Sequence, residues 1–147
     1  MHLRAAILAD VPTITTLVRA AYAKWVPLIG REPTPMQADY DAAVREHAIE
    51  LLYDDDDLVG LIETIAHSNH LFIENIAVRP QSQGRGFGRA LLAHAEDKAR
   101  ALGLDELRLL TNAAFEANIR LYEASGYRID RRGNFMGGIT VHMSLRI

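Results

Sequence analysis

The sequence predicts an α/β fold in which six to seven short strands and about four helices share one chain. Three observations lead there. Short apolar runs rich in Val, Ile, Leu and Phe recur between clusters of turn residues. Segments with helical spacing, such as Arg89 to Leu102, separate some of these runs. In mid-chain, three strand-like runs follow one another with only turns between them, the mark of an antiparallel meander.

Leu3 to Leu8 is the first strand. Asp10 is a candidate N-cap, and Val11-Pro12 opens a helix to about Lys24, because proline suits a first turn whose N–H groups lack partners anyway. Ile14, Leu17, Val18 and Ala21 share the spacing of one buried face. Trp25 to Met36, with three prolines and a glycine, is a restricted loop, and a short helix covers Gln37 to His47. Strands follow at Ile49 to Tyr53, Leu58 to Ala66 and His70 to Val78, turned by Asp54 to Asp57 and by His67 to Asn69. After the helix Arg89 to Leu102, Gly103 is a candidate C-cap. Glu106 to Thr111 is a strand, Phe115 to Ser125 a helix ended by Gly126, and Tyr127 to Arg132 a strand. Gly133, Gly137 and Gly138 mark a loop before the last strand, Thr140 to Arg146.

At 147 residues, with 49% apolar and 24% charged side chains, the chain reads as one globular domain over 1–147. A net charge of −3 argues against a nucleic-acid partner. Without cysteine there is no disulfide, thiolate metal site or cysteine nucleophile. No apolar run approaches the ~18 residues of a membrane span, so the expectation is a soluble cytoplasmic protein without a membrane partner.

The most informative stretch is Gln83-Gly84-Arg85-Gly86-Phe87-Gly88, set between the apolar strand LFIENIAV (Leu71 to Val78) and the helix from Arg89. Glycines at a helix start leave N–H groups unobstructed, and with the helix dipole they favour a phosphate. Arg85 and Arg89 are placed to add charge-assisted contacts. The glycines alternate rather than following the Rossmann G-x-G-x-x-G, and Gly88-Arg89-Ala90 lacks the Gly-Lys-Ser/Thr of a Walker loop.

Gln83-x-x-Gly86-x-Gly88 after Val78-Arg79-Pro80 instead resembles motif A, Q/R-x-x-G-x-G/A, of the GCN5-related N-acetyltransferases (GNAT). The order β-α-α-β-β-β-α-β-α-β-β extends the resemblance over nearly the whole chain. It implies a mixed, mostly antiparallel sheet flanked by helices, and acetyl-CoA as co-substrate. Its pyrophosphate would lie on Gln83, Gly84, Arg85, Gly86, Phe87, Gly88 and Arg89, and its pantetheine arm along the main chain of Ile76, Ala77 and Val78. Asn118 to Tyr127 resembles the family's N-x-x-x-x-Y-x-x-x-G-F/Y with one residue fewer between Asn118 and Tyr122. By that resemblance Asn118 contacts the cofactor arm and Tyr122 protonates the leaving thiolate. Read without it, Phe115, Ile119 and Tyr122 form the core stripe of an amphipathic helix.

Acetyl transfer needs a deprotonated amine, whose ordinary pKa is ~10.4, and a donor for the thiolate. Glu74, a carboxylate within an apolar strand, is the candidate base; a solvated edge position or an arginine partner is the alternative. Simple alternation sets Phe72, Glu74, Ile76 and Val78 on one face, and Ile73, Asn75 and Ala77 on the other. Glu63 is a second candidate base. The loop Trp25 to Met36 occupies the family's acceptor region, which makes Trp25, Arg31 and Met36 candidate substrate contacts, with Arg31 suited to a carboxylate.

No metal site is expected. Asp54 to Asp57 lacks calcium-loop spacing, and the histidines are scattered. The expected activity is direct acetyl transfer from acetyl-CoA to a primary amine of a small molecule or protein. A non-catalytic acyl-CoA-binding module and a nucleotide-binding protein are the competing readings. Many GNAT members pair through their C-terminal strands, which leaves a homodimer open.

Overall fold

The computed structural model describes residues 1–147. Its strands are β1 (His2–Ala5), β2 (Ala48–Asp54), β3 (Asp57–Ala66), β4 (Leu71–Val78), β5 (Glu106–Asn112), β6 (Arg128–Phe135) and β7 (Gly138–Arg146). They form one sheet in the order β1-β2-β3-β4-β5-β7-β6, antiparallel throughout except for the parallel pair β4–β5. Helices α1 (Val11–Tyr22) and α3 (Tyr40–Glu46) cover one face; α4 (Phe87–Ala101) and α5 (Glu116–Ala124) cover the other. A single turn, α2 (Val26–Ile29), continues α1 and stops at Gly30, whose φ of 73° suits glycine. No helix is long and apolar enough to cross a membrane.

The two faces carry separate cores. Ile14, Leu17, Val18 and Ala21 of α1 pack with Tyr40, Ala43, Leu51, Leu61 and Ala77, as the helical spacing predicts. Leu91, Leu92, Ala95 and Ala99 of α4 pack with Ile62, Leu71, Ile73, Leu107 and Leu109 on the other side.

Local chemistry moves several expected boundaries. Asp10 holds the N-cap position of α1, but its carboxylate accepts from Ile7 N–H (2.8 Å) and pairs with Arg4 (2.8 Å), so the first strand stops at Ala5. Asp39 caps α3 by accepting from Ala42 N–H at 3.2 Å, which starts that helix three residues after Gln37. Part of the Trp25 to Met36 loop is helical, in α2 and a 3₁₀ turn over Thr34–Gln37. The expected Gly133 to Gly138 loop shrinks to a turn of Met136 (φ 49°) and Gly137 (φ 79°), a left-handed pair that matches the twist of a hairpin.

One irregularity shapes the site. Glu63 lies opposite Asn75 and Thr64 opposite Ile73, so Glu74 has no partner on β3 and forms a β-bulge. Alternation inverts there: Ile73 joins the α4-side core, whereas Ala77 joins the α1-side core. The expected grouping of Ile73 with Asn75 and Ala77 on one face is therefore corrected. At the same point the sheet splits. β4 pairs with β5 only through Leu71, Ile73 and the Phe72 between them, and the two strands part before Glu74.

Gly60 lets β3 approach the split strand, since a Cβ there would sit 2.7 Å from the Ala77 carbonyl oxygen. Gly60→Ala is expected to lower unfolding stability by about 1–3 kcal/mol in urea titration, the usual cost of overpacking.

Candidate active site

On one side of the split lies a cavity of about 630 Å³. Ile76, Ala77 and Val78 line it along β4, Gln83, Gly84 and Gly86 to Arg89 at the glycine loop, and Lys24, Trp25 and Asn118 beside them. Gly84 (φ 79°) and Gly86 (φ 90°) hold left-handed conformations, with nothing near where a Cβ would project. The first α4 bond runs from Ala90 N–H to the Gly86 carbonyl (3.1 Å), so the amides of Phe87, Gly88 and Arg89 have no partner within the helix. This end of the cavity is built for an anion. Gly88 permits close approach of α5, where a Cβ would meet Leu121 at 3.0 Å.

Because β4 has left β5, side chains satisfy its carbonyls. The Tyr22 hydroxyl shares its one proton between Asn75 Oδ1 (2.8 Å) and the Ile76 carbonyl (3.1 Å), and Gln83 Nε2 donates to the Val78 carbonyl (3.0 Å). Lys24 Nζ donates to Gln83 Oε1 (2.8 Å) and lies over the Trp25 ring, with burial holding its pKa below the ordinary lysine value. Trp25 stacks on Phe115 at 4.5 Å, joining the α1–α2 segment to the chain just before α5.

A second cavity, about 520 Å³, lies beyond this stack. Phe72, Leu110, Phe115 and Phe135 give it apolar walls, and Asp39, Glu46, Glu63 and Glu74 make one side acidic. Arg31 faces it with its guanidinium 5.7 Å from the Phe135 ring centroid and no carboxylate partner. The two cavities meet at Tyr22, Ile76 and Asn118.

A buried polar chain supports the junction. Tyr22 donates to Asn75 Oδ1 (2.8 Å), Asn75 Nδ2 donates to Tyr40 Oη (3.2 Å), and Tyr40 donates to the Pro35 carbonyl (2.6 Å). Burial pushes both phenols well above the ordinary tyrosine pKa, with Glu63 and Glu74 acting in the same direction. Glu63 is 3% exposed and sits 2.6 Å from His47 Nδ1. Burial raises its pKa, His47 opposes that shift, and the charge of Glu74 adds to it. Tyr122, pushed up to about 12 by burial, lines the same cavity and stays protonated at neutral pH.

Residues 14–127 match the acetyltransferase (GNAT) family. The chain belongs to that family. It is 31% identical over 113 residues to an amino-acid acetyltransferase of Neisseria meningitidis, a match over 76% of this chain and 24% of that protein. It is 45% identical over 53 residues to the [ribosomal protein bS18]-alanine N-acetyltransferase of Escherichia coli, over 36% of each. The chain thus spans only a fraction of the curated relatives it matches. The crystal structure of the latter type of enzyme from Escherichia coli superposes with a TM-score of 0.81 at 22% identity, over 99% of this chain and 93% of that one. The PaiA N-acetyltransferase of Thermoplasma acidophilum, solved with coenzyme A, gives a TM-score of 0.83 at 15% identity, over 99% and 98%. Both likenesses bear on the fold, which is the GNAT fold.

Most of the residues expected from the GNAT resemblance gather around the two cavities. Ile76, Ala77, Val78, Gln83, Gly84, Gly86, Phe87, Gly88, Arg89 and Asn118 line the first; Glu74, Glu63, Tyr122, Arg31 and again Asn118 line the second. Three depart from their expected places. Arg85 turns outward to Asp54 (3.1 Å) and over the Phe87 ring, because the acidic β2–β3 turn competes for its charge. Trp25 lines the glycine-loop cavity rather than the second one. Met36 lines neither, being 9% exposed with its carbonyl accepting from Arg19 (3.2 Å). Tyr22, Tyr40, His47, Asn75 and Lys24 escaped the sequence reading. Asn75 alone left a signal there, as a second polar residue inside an apolar strand. No group of three or more histidines or acids is arranged to hold a metal.

Asn75→Leu strands the Tyr22 and Tyr40 hydroxyls of one internal partner each. It is expected to cost about 1–3 kcal/mol of stability in denaturant titration, the penalty for a buried polar group losing its bond.

Proposed function

We propose that this protein is an acetyl-CoA-dependent N-acetyltransferase acting on a primary amine by direct transfer within a ternary complex. The observation that carries the reading is the junction of the two cavities at Tyr22, Ile76 and Asn118, where a thioester from one side can meet an amine from the other. A chain without cysteine has no thiol on which to park the acetyl group, which favours one-step transfer.

In this reading the amides of Phe87, Gly88 and Arg89, with Gln83 and the loop glycines, hold the pyrophosphate. The pantetheine arm displaces the side chains of Tyr22 and Gln83 from the β4 main chain, running along Ile76, Ala77 and Val78 toward Asn118. The amine nitrogen attacks the thioester carbonyl, the C–N bond forms and the C–S bond breaks. Tyr122 gives its proton to the departing thiolate, a role supported by its burial and protonated state. Glu74, released from strand pairing by the bulge, faces the incoming ammonium and begins its deprotonation. Arg31, the arginine of the second cavity without a carboxylate partner, receives a carboxylate of the acceptor. That feature favours an amino acid over a protein N-terminus, in keeping with the amino-acid acetyltransferase among its relatives.

Thermal unfolding with acetyl-CoA tests the donor site. Saturation at ~100 times the dissociation constant adds ~2.7 kcal/mol and raises the midpoint, whereas no shift removes the enzyme reading. Tyr122→Phe is expected to reduce kcat by about 10²-fold or more, the range for loss of a general acid, with acetyl-CoA affinity retained. Unchanged turnover takes Tyr122 out of the mechanism. For Arg31→Gln, KM is expected to rise about 10-fold or more for carboxylate-bearing acceptors and to stay level for their decarboxylated amines, as measured by thiol release.

A further inference from the structure

Acetylation of an ammonium leaves one proton over. The nitrogen gives up two protons on becoming an amide, the departing thiolate gains one, and the other must leave the acceptor cavity. Glu74 starts its removal but is an end point only if it is emptied before the next turnover. The cavity contains one device suited to that task. His47 links the end of α3 to the start of β2, with extended backbone (φ −112°, ψ 174°) that turns its ring toward β3. Its Nδ1 lies 2.6 Å from Glu63 Oε2, and the two side chains are 27% and 4% exposed, so the carboxylate is inside and the imidazole reaches water. Both line the acceptor cavity. With Nδ1–H donated to Glu63, the basic atom of the ring is Nε2, for which the protein supplies no partner. A buried carboxylate holding one imidazole nitrogen and leaving the other open is the arrangement that makes histidine a general base.

We propose that the surplus proton of acetyl transfer leaves through Nε2 of His47, with Glu63 as the positioning residue that orients the ring and stabilises its charged form. This rests on the acetyl transfer proposed above. Balance is simple: the proton passes from the ammonium, by way of Glu74, to Nε2, the imidazolium stands beside ionised Glu63, and exchange with solvent restores the neutral ring. The other charged or titratable groups facing this space are Asp39 at the cap of α3, Tyr40 and Glu46 of α3, Glu74 of β4, Tyr22 of α1, Tyr122 of α5 and Arg31 of the loop. Of these only Arg31 is a cation, and it lies against Phe135 of β6. No other imidazole lines the cavity.

The test is the pH profile of kcat/KM, followed by thiol release from acetyl-CoA with a panel of amino acids and amines. Wild type is expected to show an acid limb as the relay base takes up its proton. His47→Gln should lower kcat/KM at neutral pH by about 10²-fold or more and abolish that limb. Glu63→Gln should move the limb to lower pH, since the imidazolium loses its counter-charge. Imidazole added to the buffer should restore part of the activity of His47→Ala. Acetyl-CoA affinity and the melting midpoint, measured on each variant, separate these effects from misfolding. If His47→Gln stays within about twofold of wild type with the same acid limb, or if only Glu74→Gln removes that limb, the relay is wrong and acetyl transfer stands. Wild-type protein that binds acetyl-CoA but acetylates nothing in the panel overturns the proposed function, and the relay with it.

Discussion

The parting of β4 from β5 before Glu74 is the constraint on which the rest of the molecule depends. A sheet that closes its hydrogen bonds along the full length of both strands would have no room for a ligand at its centre. Here the parallel pairing lasts only from Leu71 to Ile73, and the bulge at Glu74 turns the strand as its neighbour departs. The main chain beyond it must find other partners, because buried backbone polar groups are rarely left alone. Tyr22 and Gln83 supply them for Ile76 and Val78. Both partners are side chains at the cleft wall, so the strand is satisfied without the cleft being sealed.

Around this opening a hydrogen-bonded frame stands beside the titratable acids and His47. The Tyr22–Asn75–Tyr40–Pro35 chain ties α1, β4, α3 and the Trp25 to Met36 loop together within the α1-side layer. Its phenols are held neutral by burial and by the nearby carboxylates. Glu63, Glu74 and His47 border the same space, yet none of them belongs to that chain of hydrogen bonds. Titration in the cavity can therefore proceed against a frame that does not titrate with it.

Much of this was legible in the sequence, for physical reasons that differ from element to element. The glycine loop and the start of α4 announce themselves locally, through left-handed backbone and exposed amides that few other residues permit. The α1 face was readable because its period alone decides burial. The bulge was not, since a strand of alternating appearance does not reveal which residue lacks a partner across the sheet. His47 was hidden for a related reason: its partner Glu63 is distant in sequence and meets it only when α3, β2 and β3 are in place. The positions of Arg85 and Met36 were not legible either, because contacts far along the chain, with Asp54 and Arg19, bear on where they lie.

Phe135 reaches the second cavity from the edge of the sheet, carried by β6 and its two-residue turn into β7. The glycine loop belongs to the opposite side of the split and shares no element with that hairpin. A lengthened turn or a changed residue at this rim would therefore reshape one wall while leaving the glycine-loop cleft and its strand untouched. The two cavities are thus built to vary apart: a redrawn peripheral hairpin alters one without disturbing the loop and strand that frame the other.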